Sequence, residues 1–378
     1  MKKNILYNRG KLLVPSLVAG IGFWKFMKGR NEATPEYIVQ FIKNNISSND
    51  VSLFINHNDE TLVEVNPNVK LPLASTVKII IAIEYAQQAA EGIIDPKQEV
   101  KLADLAKLYI PKTDGGAHEA WLSQLGKDSD IVPLREVVDG MIAYSSNANT
   151  DYLMNLLGLD HINSVPKSLG ITNHDPLYPI YSSLFIPSTL MKEKNLTKKE
   201  TLQAMINMDV AEYRGWALAI NEKWKNKAPT EQEKKEAMKI MSLDFQRVWS
   251  DRLSRSTTKN YVSIMKILNN KIDLDQNVHK HLDPVMEQLM KNPNNRKWLL
   301  HAGQKGGSTA FVLTKAMYAT DKDGNRTELA IFTDNLSPSN QEKLARSLND
   351  FQLQVLTNPK FRQFIKEEVA LSSNQSSK

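Results

Sequence analysis

One apolar stretch near the start of the chain, LASTVKIIIAIEYAQQAA from Leu73 to Ala90, most constrains the fold. It is apolar nearly all round, which predicts a helix buried in the core. Gly92 is placed to end it as a C-cap. Ser75 stands at its start, where serine is favoured, and Lys78 follows three residues later. A hydroxyl and an amine therefore project from one face of a buried helix.

Lys78 is predicted to have a lowered pKa. Burial removes the hydration of its ammonium group, and the helix N-terminus also disfavours a cation. A neutral amine near pH 7 is one recognised means of activating a serine nucleophile. The alternative is structural: Ser75 only caps the helix, and Lys78 extends to the surface. The short S-x-x-K pattern leaves both open.

A second polar motif, Ser145-Ser146-Asn147, precedes an apolar helix predicted over Tyr152–Leu157. The Ser145 hydroxyl can relay a proton, and the Asn147 amide can hold a substrate carbonyl or orient Lys78. The alternative is a polar turn whose Ser and Asn only cap the helix.

A third motif, Lys305-Gly306-Gly307, precedes a predicted β-hairpin. Lys305 can pair with a substrate carboxylate, and the two glycines let the backbone approach a ligand closely. The alternative is a glycine-rich turn before an edge strand. The hairpin is predicted from two strands and a D-G turn: Ser308–Ala319, Thr327–Asp334 and Asp323-Gly324.

With all three motifs in this order, the chain resembles the serine penicillin-recognising enzymes, and class A β-lactamases most closely. The resemblance covers about residues 36 to 356 and includes the order of elements. The elements that carry it are a helix Glu36–Asn45, strands Val51–His57 and Thr61–Val65, Pro72-Leu73-Ala74-Ser75, Ser256–Tyr261 before an apolar helix, and a closing helix from Ser339 to about Leu356.

The resemblance implies an α/β (α+β) sandwich of the β-lactamase/transpeptidase-like kind. An antiparallel sheet is flanked by helices, an all-helical subdomain is added, and the active site lies between the two. The catalytic domain is expected over residues 34–363, with a flexible tail at 364–378. About 187–255 exceeds the usual family length and predicts an insertion of two or three amphipathic helices, with a break at Ala228–Glu231 and Thr230 as a cap.

Carried over residue by residue, the resemblance gives roles to the three motifs. Ser75 is expected to be acylated, Lys78 to activate it, and Ser145 to pass a proton to the leaving nitrogen. Substrate-binding roles fall to Asn147, Lys305, Gly306, Gly307 and Thr309. The backbone N–H groups of Ser75 and Thr309 are expected to form the oxyanion hole.

Three departures from the family pattern concern catalysis. Ser146 stands where class A enzymes usually carry Asp, and Gly306 stands where Thr or Ser is usual. The stretch from Gly170 to Tyr181 lacks the Ω-loop Glu that activates the deacylating water, and Asp175 is its nearest carboxylate. If β-lactam hydrolysis proves rapid, a replacement base is to be sought in the insertion, starting with Glu193, Glu212 and Asp251.

The prediction is therefore a serine hydrolase with slow β-lactam turnover, for which D,D-peptidase or esterase activity is open. The substrate is expected to be a β-lactam or a peptidoglycan-like small molecule. The alternative is a penicillin-binding or sensor protein that acylates or docks without turnover. The sequence leaves the oligomeric state open.

Composition argues against several other classes. The chain has no cysteine and no H-E-x-x-H spacing, so neither a thiolate nor a zincin metal site is expected. No nucleotide-binding glycine motif is present, and no cofactor is expected. The net charge of +6 is spread along the chain, which favours weak attraction to anionic envelope polymers over nucleic-acid binding.

The N-terminus predicts export. Basic residues up to Lys11 precede an uncharged run from Leu12 to Trp24, which suits a signal h-region and is short for a membrane span. Lys25 and Lys28 follow in place of a cleavage site, so 1–33 is predicted as a signal peptide or an uncleaved signal-anchor. The protein is expected outside the cell or in its envelope. A helix of a cytosolic protein is the alternative.

Overall fold

The computed structural model describes residues 34–126 and 129–375, and these fall into two compact units. The first comprises the described residues of Met1–Thr76, Arg255–Gln276 and Met286–Lys378. The second comprises those of Val77–Ser254 and Asn277–Val285.

The secondary structure alternates between the two units along the chain. The helices are α1 Pro35–Asn44, α2 Lys78–Ala90, α3 Leu102–Lys107, α4 Ala117–Leu122, α5 Leu134–Asp139, α6 Asn147–Leu157, α7 Leu159–Ser168, α8 Ile180–Leu184, α9 Ile186–Lys194, α10 Lys198–Asn207, α11 Val210–Asn226, α12 Glu231–Ile240, α13 Leu243–Asp251, α14 Thr258–Asn270, α15 Gln276–Met286, α16 Pro338–Thr357 and α17 Pro359–Gln375. The strands are β1 Val51–His57, β2 Glu60–Val65, β3 Leu71–Pro72, β4 Glu99–Lys101, β5 Ile131–Pro133, β6 Arg255–Ser256, β7 Leu299–Ser308, β8 Leu313–Asp321 and β9 Arg326–Thr333.

The first unit is built on an antiparallel sheet with strand order β2-β1-β9-β8-β7. Alternate residues of its strands face opposite sides. One side packs against α1, α16 and α17 in an apolar core that includes Ile38, Leu53 and Phe351. On the other side Tyr261 of α14 meets the Phe332 ring edge-on, with 5.3 Å between centroids. This confirms the predicted class, an antiparallel sheet flanked by helices.

The C-terminal tail predicted from residue 364 is wrong for residues up to 375, which continue α17. Phe361, Ile365 and Val369 recur every four residues and are buried in the first unit's core. Glu368 on the same helix forms an ion pair with Lys43 of α1 at 2.8 Å. One apolar stripe facing α1 and β2 explains why this segment is helical.

The hairpin after the third motif also differs from the prediction. Lys305-Gly306-Gly307 lies inside β7, and the chain turns at residues 309–312 within the predicted first strand. Thr309 closes that turn: its N–H donates to the Val312 carbonyl at 3.0 Å, and its Oγ1 accepts from the Phe311 N–H at 3.1 Å. Such local side-chain bonds compete with an extended strand. The D-G turn at Asp323-Gly324 follows as predicted, with Gly324 at φ +86°.

The second unit is mostly helical, with one small ladder of β4 and β5. Its insertion contains five helices, α9 to α13, where two or three were predicted. Short N-capped breaks divide them, since Thr197, Asp209 and Thr230 each accept a backbone N–H at a helix start. Thr230 has the predicted capping role. The buried side chains Tyr181, Tyr213 and Phe245 belong to one apolar cluster with neighbours from the insertion.

The predicted leader, residues 1–33, lies outside the described residues. Within 34–126 and 129–375, no helix combines the length and the apolar character that crossing a membrane requires.

Candidate active site

The first motif lies where a tight turn becomes a buried helix. Ala74–Val77 forms a 3₁₀ turn that leads directly into α2, and Ala74 has φ +44°. A left-handed alanine is strained and persists only where its surroundings impose it. The Thr76 N–H donates to the Leu73 carbonyl at 3.0 Å and closes this turn around Ser75. Gly92, at φ +72°, follows the C-cap of α2. The predicted helix is confirmed.

Gly307 of the third motif lies directly against the backbone at Ser75. A Cβ on Gly307 would clash with the Ser75 backbone nitrogen and would come within 2.8 Å of the Leu73 carbonyl oxygen. Both neighbours are backbone, so neither can rotate away. On β8, the Thr314 hydroxyl donates to the same Leu73 carbonyl at 2.9 Å. A glycine is therefore required at this position for β7 to approach the serine turn.

The edge of β7 presents the Ser308 N–H, and not that of Thr309, to an incoming group. The Thr309 N–H already donates to Val312, so the sequence assignment of Thr309 to the oxyanion hole is wrong. Ser308 is opposite Leu313, whose N–H and carbonyl both bond Thr333 Oγ1 on the β9 side. Ser308 is thus in a non-hydrogen-bonded pair of the ladder, and its N–H points outward from the sheet edge.

Lys305 and Gly306 project from opposite faces of β7. Lys305 lies on the same face as Gly307, is buried, and its Nζ donates to the Gly306 carbonyl at 2.9 Å. Gly306 is paired across the ladder with Lys315, whose ammonium is 3.3 Å from the place a Gly306 Cβ would take. Burial lowers the pKa of Lys315 to about 8.

Lys315 is a candidate residue that the sequence reasoning missed. Its signal was the strand alternation: once the hairpin turn is placed at 309–312, Lys315 falls opposite Gly306. The cation lies where the usual Thr or Ser of the third motif is absent, so two lysines of the first unit, Lys305 and Lys315, flank the glycine pair.

Lys78 is buried within the second unit and faces three oxygens of the second motif. Its Nζ donates to the Ser145 carbonyl at 2.7 Å, to Asn147 Oδ1 at 2.8 Å and to Ser145 Oγ at 3.3 Å. Burial lowers the pKa of Lys78 to about 7, partly offset by Asp114 and then Asp151, which raise it. Near neutral pH the amine is therefore present in both protonation states.

The contacts of Lys78 suit a group that changes protonation state. An ammonium can donate to all three oxygens, whereas a neutral amine donates to two and offers a lone pair. That lone pair can accept from the Ser145 hydroxyl, the longest of the three contacts. The arrangement permits proton exchange between Lys78 and Ser145.

Ser145 owes its position to an unusual backbone. A π-helical turn, Gly140–Tyr144, ends at Ser145 with φ +73°. The Ser146 N–H donates back to the Gly140 carbonyl at 3.2 Å. A Cβ on Gly140 would lie 2.9 Å from the Trp121 ring, so the turn closes only over glycine. Turns of this type are frequent at functional sites.

Ser146, the middle residue of the second motif, faces the interior. Its hydroxyl donates to Asn149 Oδ1 at 2.9 Å and accepts from the Asn149 N–H at 3.3 Å, as the N-cap of α6. His118 Nδ1 lies 2.9 Å from the same hydroxyl. The serine that replaces the usual Asp therefore has hydrogen-bond partners for its hydroxyl in both His118 and Asn149.

Two carboxylates that the sequence reasoning missed lie close enough to act on Lys78 electrostatically. Asp114 Oδ2 accepts the Asn147 N–H at 3.2 Å, and burial raises the pKa of Asp114. Asp151 on α6 accepts the Ile180 and Tyr181 N–H groups at 2.9 and 2.7 Å. Burial raises the pKa of Asp151 to about 6. Neither residue belongs to a short motif, so spacing gave no signal.

The segment that would carry the deacylating Glu is held by other bonds. Asp175 is paired with Arg214 at 3.4 Å, and the buried Tyr178 hydroxyl donates to the Arg252 carbonyl at 2.8 Å. The carboxylates suggested as replacements lie in the helical insertion. Glu193 pairs with Lys223 at 2.9 Å, Asp251 pairs with Arg247 at 2.7 Å, and Glu212 lies in the first turn of α11.

The part of the chain that the structure describes contains no group of three or more acidic, histidine or cysteine side chains able to hold a metal ion.

Comparison with known proteins places the chain in a family. Residues 36–352 match the model of the "Beta-lactamase enzyme family". The fold is similar to a β-lactamase from Sphaerobacter thermophilus, at 18% identity and a TM-score of 0.53, over 84% of this chain and 96% of that one. A β-lactamase from Chitinophaga pinensis is also similar, at 16% identity and a TM-score of 0.51, over 84% of this chain and 97% of that one.

A penicillin G acyl-enzyme complex of a PBP-A mutant is similar in fold as well. It is 14% identical, with a TM-score of 0.50, over 85% of this chain and 96% of that one. At these identities the solved structures show the fold. No curated protein sequence matches the chain.

Proposed function

The chain belongs to the β-lactamase enzyme family, a family of serine hydrolases, and on that premise we propose that it forms an acyl-enzyme on Ser75. The proposed substrates are β-lactams, D-Ala-type amides of peptidoglycan-like molecules and small esters. The observation that carries the proposal is the buried Lys78, whose amine donates to oxygens of Ser145 and Asn147.

In the proposed acylation, Ser75 Oγ attacks the substrate carbonyl carbon and gives its proton to neutral Lys78. The two residues are three positions apart on one continuous helical segment. As the carbon–nitrogen bond breaks, Ser145 donates its proton to the leaving nitrogen and takes one from Lys78. General-base assistance of this kind is worth roughly 10²–10⁴-fold in rate.

The proposed oxyanion hole consists of the Ser75 and Ser308 backbone N–H groups. Backbone donors aimed at a developing charge typically contribute about 10²–10³-fold each. Gly307 keeps the two donors close, because no side chain separates β7 from the serine turn.

The proposed carboxylate subsite lies at the edge of β7 beside Gly306, with Lys315 on the Gly306 face and Lys305 on the opposite face of the strand. β-Lactams and D-Ala-type peptides carry a carboxylate near the scissile amide, and charge-assisted hydrogen bonds to it are the strong ones. Lys315 supplies a cation at Gly306, where the hydroxyl usual in the third motif is missing.

We propose that the β-lactam acyl-enzyme hydrolyses slowly. Residues 170–181 contain no Glu, and Asp175 is engaged with Arg214. Without a positioned carboxylate, deacylation loses a general base worth roughly 10²–10⁴-fold. Small ester acyl groups leave more room for water and should turn over faster.

A second candidate is a penicillin-binding or sensor protein that acylates and does not turn over. This alternative is favoured by the segment that would carry the base, because its Asp175 is paired with Arg214 and its Tyr178 hydroxyl donates to the Arg252 carbonyl. The solved PBP-A complex is described as an acyl-enzyme with penicillin G.

Export is part of the proposal and rests on the sequence of residues 1–33. A signal or signal-anchor would deliver the protein to the outside or to the cell envelope, where such substrates occur. Fractionation of cells that express the full chain, with and without residues 1–33, tests this. Cytosolic protein in both cases would contradict export.

Intact-protein mass spectrometry after exposure to penicillin G tests acylation and turnover together. The wild type should gain the mass of one penicillin, the adduct should map to Ser75, and it should persist for minutes or longer after free penicillin is removed. Ser75→Ala should gain nothing. An adduct that survives this substitution contradicts the assignment, and rapid hydrolysis of a chromogenic cephalosporin contradicts slow turnover.

A further inference from the structure

One segment of the second unit contacts two adjacent residues of the second motif. We call residues 110–121 the buttress segment. From it Asp114 Oδ2 accepts the Asn147 N–H at 3.2 Å, and His118 Nδ1 lies 2.9 Å from Ser146 Oγ. Neither contact was expected from the sequence.

Asp114 is itself fixed in place. Its other oxygen, Oδ1, accepts the Ala117 N–H at 3.1 Å, so the two carboxylate oxygens join the buttress segment to the start of α6. An anion at a helix N-terminus is stabilised by the exposed N–H groups there. The carboxylate therefore locks the Asn147 backbone while the Asn147 amide oxygen accepts from Lys78 at 2.8 Å.

His118 is fixed by packing. It is 2% exposed, and its ring lies 4.5 Å from the Tyr109 ring and 5.5 Å from the Trp121 ring, measured between centroids. Trp121 also packs where a Gly140 Cβ would lie, beside the turn that delivers Ser145. The buttress segment thus supports the second motif on both sides of Ser146.

The charges around this site decide what Asp114 can do. Of the two carboxylates that favour the ammonium form of Lys78, Asp114 has the larger effect and Asp151 the smaller. Burial raises the pKa of Asp114, and the Asn147 N–H, Lys78 and, more weakly, His118 oppose this rise while Glu119 adds to it. The titratable groups that face it are Lys78 on α2, His118 and Glu119 on α4, Tyr109, and Tyr181 on α8.

We propose that Asp114 is a positioning residue of the acylation site, which holds Asn147 in place and supplies the counter-charge to Lys78, while His118 braces Ser146. The inference rests on the proposed function. It also accounts for the altered second motif: the carboxylate missing at Ser146 is supplied from the buttress segment.

The decisive variant is Asp114→Asn, which keeps the shape and an acceptor oxygen and removes the charge. In the full-length protein, the second-order rate of labelling by a fluorescent penicillin is measured from pH 5 to 9. Without the anion the neutral amine of Lys78 forms at lower pH, so the acid limb should move down by roughly one pH unit. When each labelling rate is divided by that protein's own plateau rate, the value at pH 6 should be roughly five- to tenfold higher in the variant than in the wild type.

Glu119→Gln is the matched control, because it removes the same charge from the same segment at an exposed position. Its acid limb should move much less than that of Asp114→Asn, because solvent screens the exposed Glu119 charge. His118→Phe tests the brace: its plateau rate should fall several-fold while its limb moves much less than that of Asp114→Asn, since burial lowers the pKa of His118 and disfavours its charged form.

Several results would overturn the inference. They are an Asp114→Asn profile identical to the wild type, an equal shift in Glu119→Gln, or wild-type behaviour of His118→Phe. If Asp114→Asn does not fold, Asp114→Ser keeps an oxygen for the Ala117 N–H and replaces it. If neither Asp114 variant shows a cooperative thermal unfolding transition, the Asp114 carboxylate is needed for folding and the inference is wrong. A wild type that is not labelled at Ser75 instead refutes the proposed function.

Discussion

The second and third motifs are held in place by different kinds of bond. In the second unit, Ser145, Ser146 and Asn147 are tied through side chains, to Lys78, His118 and Asn149. In the first unit, residues 305–308 are fixed by the backbone ladder of β7 with β8. A motif built from backbone tolerates a changed side chain more easily than one built from side-chain bonds.

This difference explains the two departures from the family pattern. Replacing the usual Thr by Gly306 leaves the ladder intact, and Lys315 stands at the vacated position. Replacing Asp by Ser146 changes a buried bonding pattern, so a new partner, His118, is required. The second motif should therefore be more sensitive to side-chain substitution, and the third more sensitive to added bulk.

The largest effect is expected for Lys78→Arg in the second unit. Arginine stays charged and cannot accept the proton of Ser75, so acylation should fall by roughly 10²–10⁴-fold. The wild-type rate should rise with pH through about 7, because the neutral amine of Lys78 prevails above its pKa. Stopped-flow acylation by a fluorescent penicillin measures both.

Lys234→Arg is the matched control for Lys78→Arg. Lys234 is another buried lysine of the second unit, and its Nζ donates to the Ala106 carbonyl at 3.1 Å. Its substitution should leave acylation within about twofold. Near-normal acylation by a folded Lys78→Arg variant would remove Lys78 from the proposed role.

The next effect is expected for Gly307→Ala in the first unit. The added methyl collides with the Ser75 backbone nitrogen, so β7 must move away and the two oxyanion donors separate. Loss of one such donor costs roughly 10²–10³-fold in acylation. The neighbouring Ser308→Ala should stay within about twofold, because its backbone N–H is retained.

If Gly307→Ala and Ser308→Ala lowered the acylation rate equally, the Ser308 side chain, and not its backbone N–H, would be the group that contributes to acylation. Circular dichroism melting curves separate a displaced strand from general unfolding.

The smallest effect is expected for Lys315→Met. Losing one charge-assisted bond to the substrate carboxylate should raise KM for penicillin roughly tenfold. KM for a neutral ester should not change, because that substrate has no carboxylate. Lys322→Met, at an exposed lysine after β8, is the control and should change neither. A KM increase for both substrates would mean that Lys315 shapes the sheet edge instead.

The sequence identified the motif residues because their chemistry is local. Ser75 and Lys78 are one helical turn apart, and a buried helix was readable from the apolar run around them. Asp114, His118 and Asp151 were missed since they act across the second unit and match no short pattern. Thr309 was misassigned because the first strand was predicted to begin at Ser308, where β7 in fact ends, so the turn at residues 309–312 was read as strand.

By itself, the sequence determined the fold class, the order of elements, and Ser75, Lys78, Ser145, Asn147 and Lys305 as candidates. Hydrophobic periodicity and cap residues are properties of neighbouring positions, so they can be recognised in the sequence without the tertiary structure. Only the tertiary structure decided that Lys78 is fully buried, that Gly307 needs to be glycine, and that Asp114 accepts the Asn147 N–H. Desolvation, steric clash and charge proximity depend on atoms distant in the chain, and no local pattern records them.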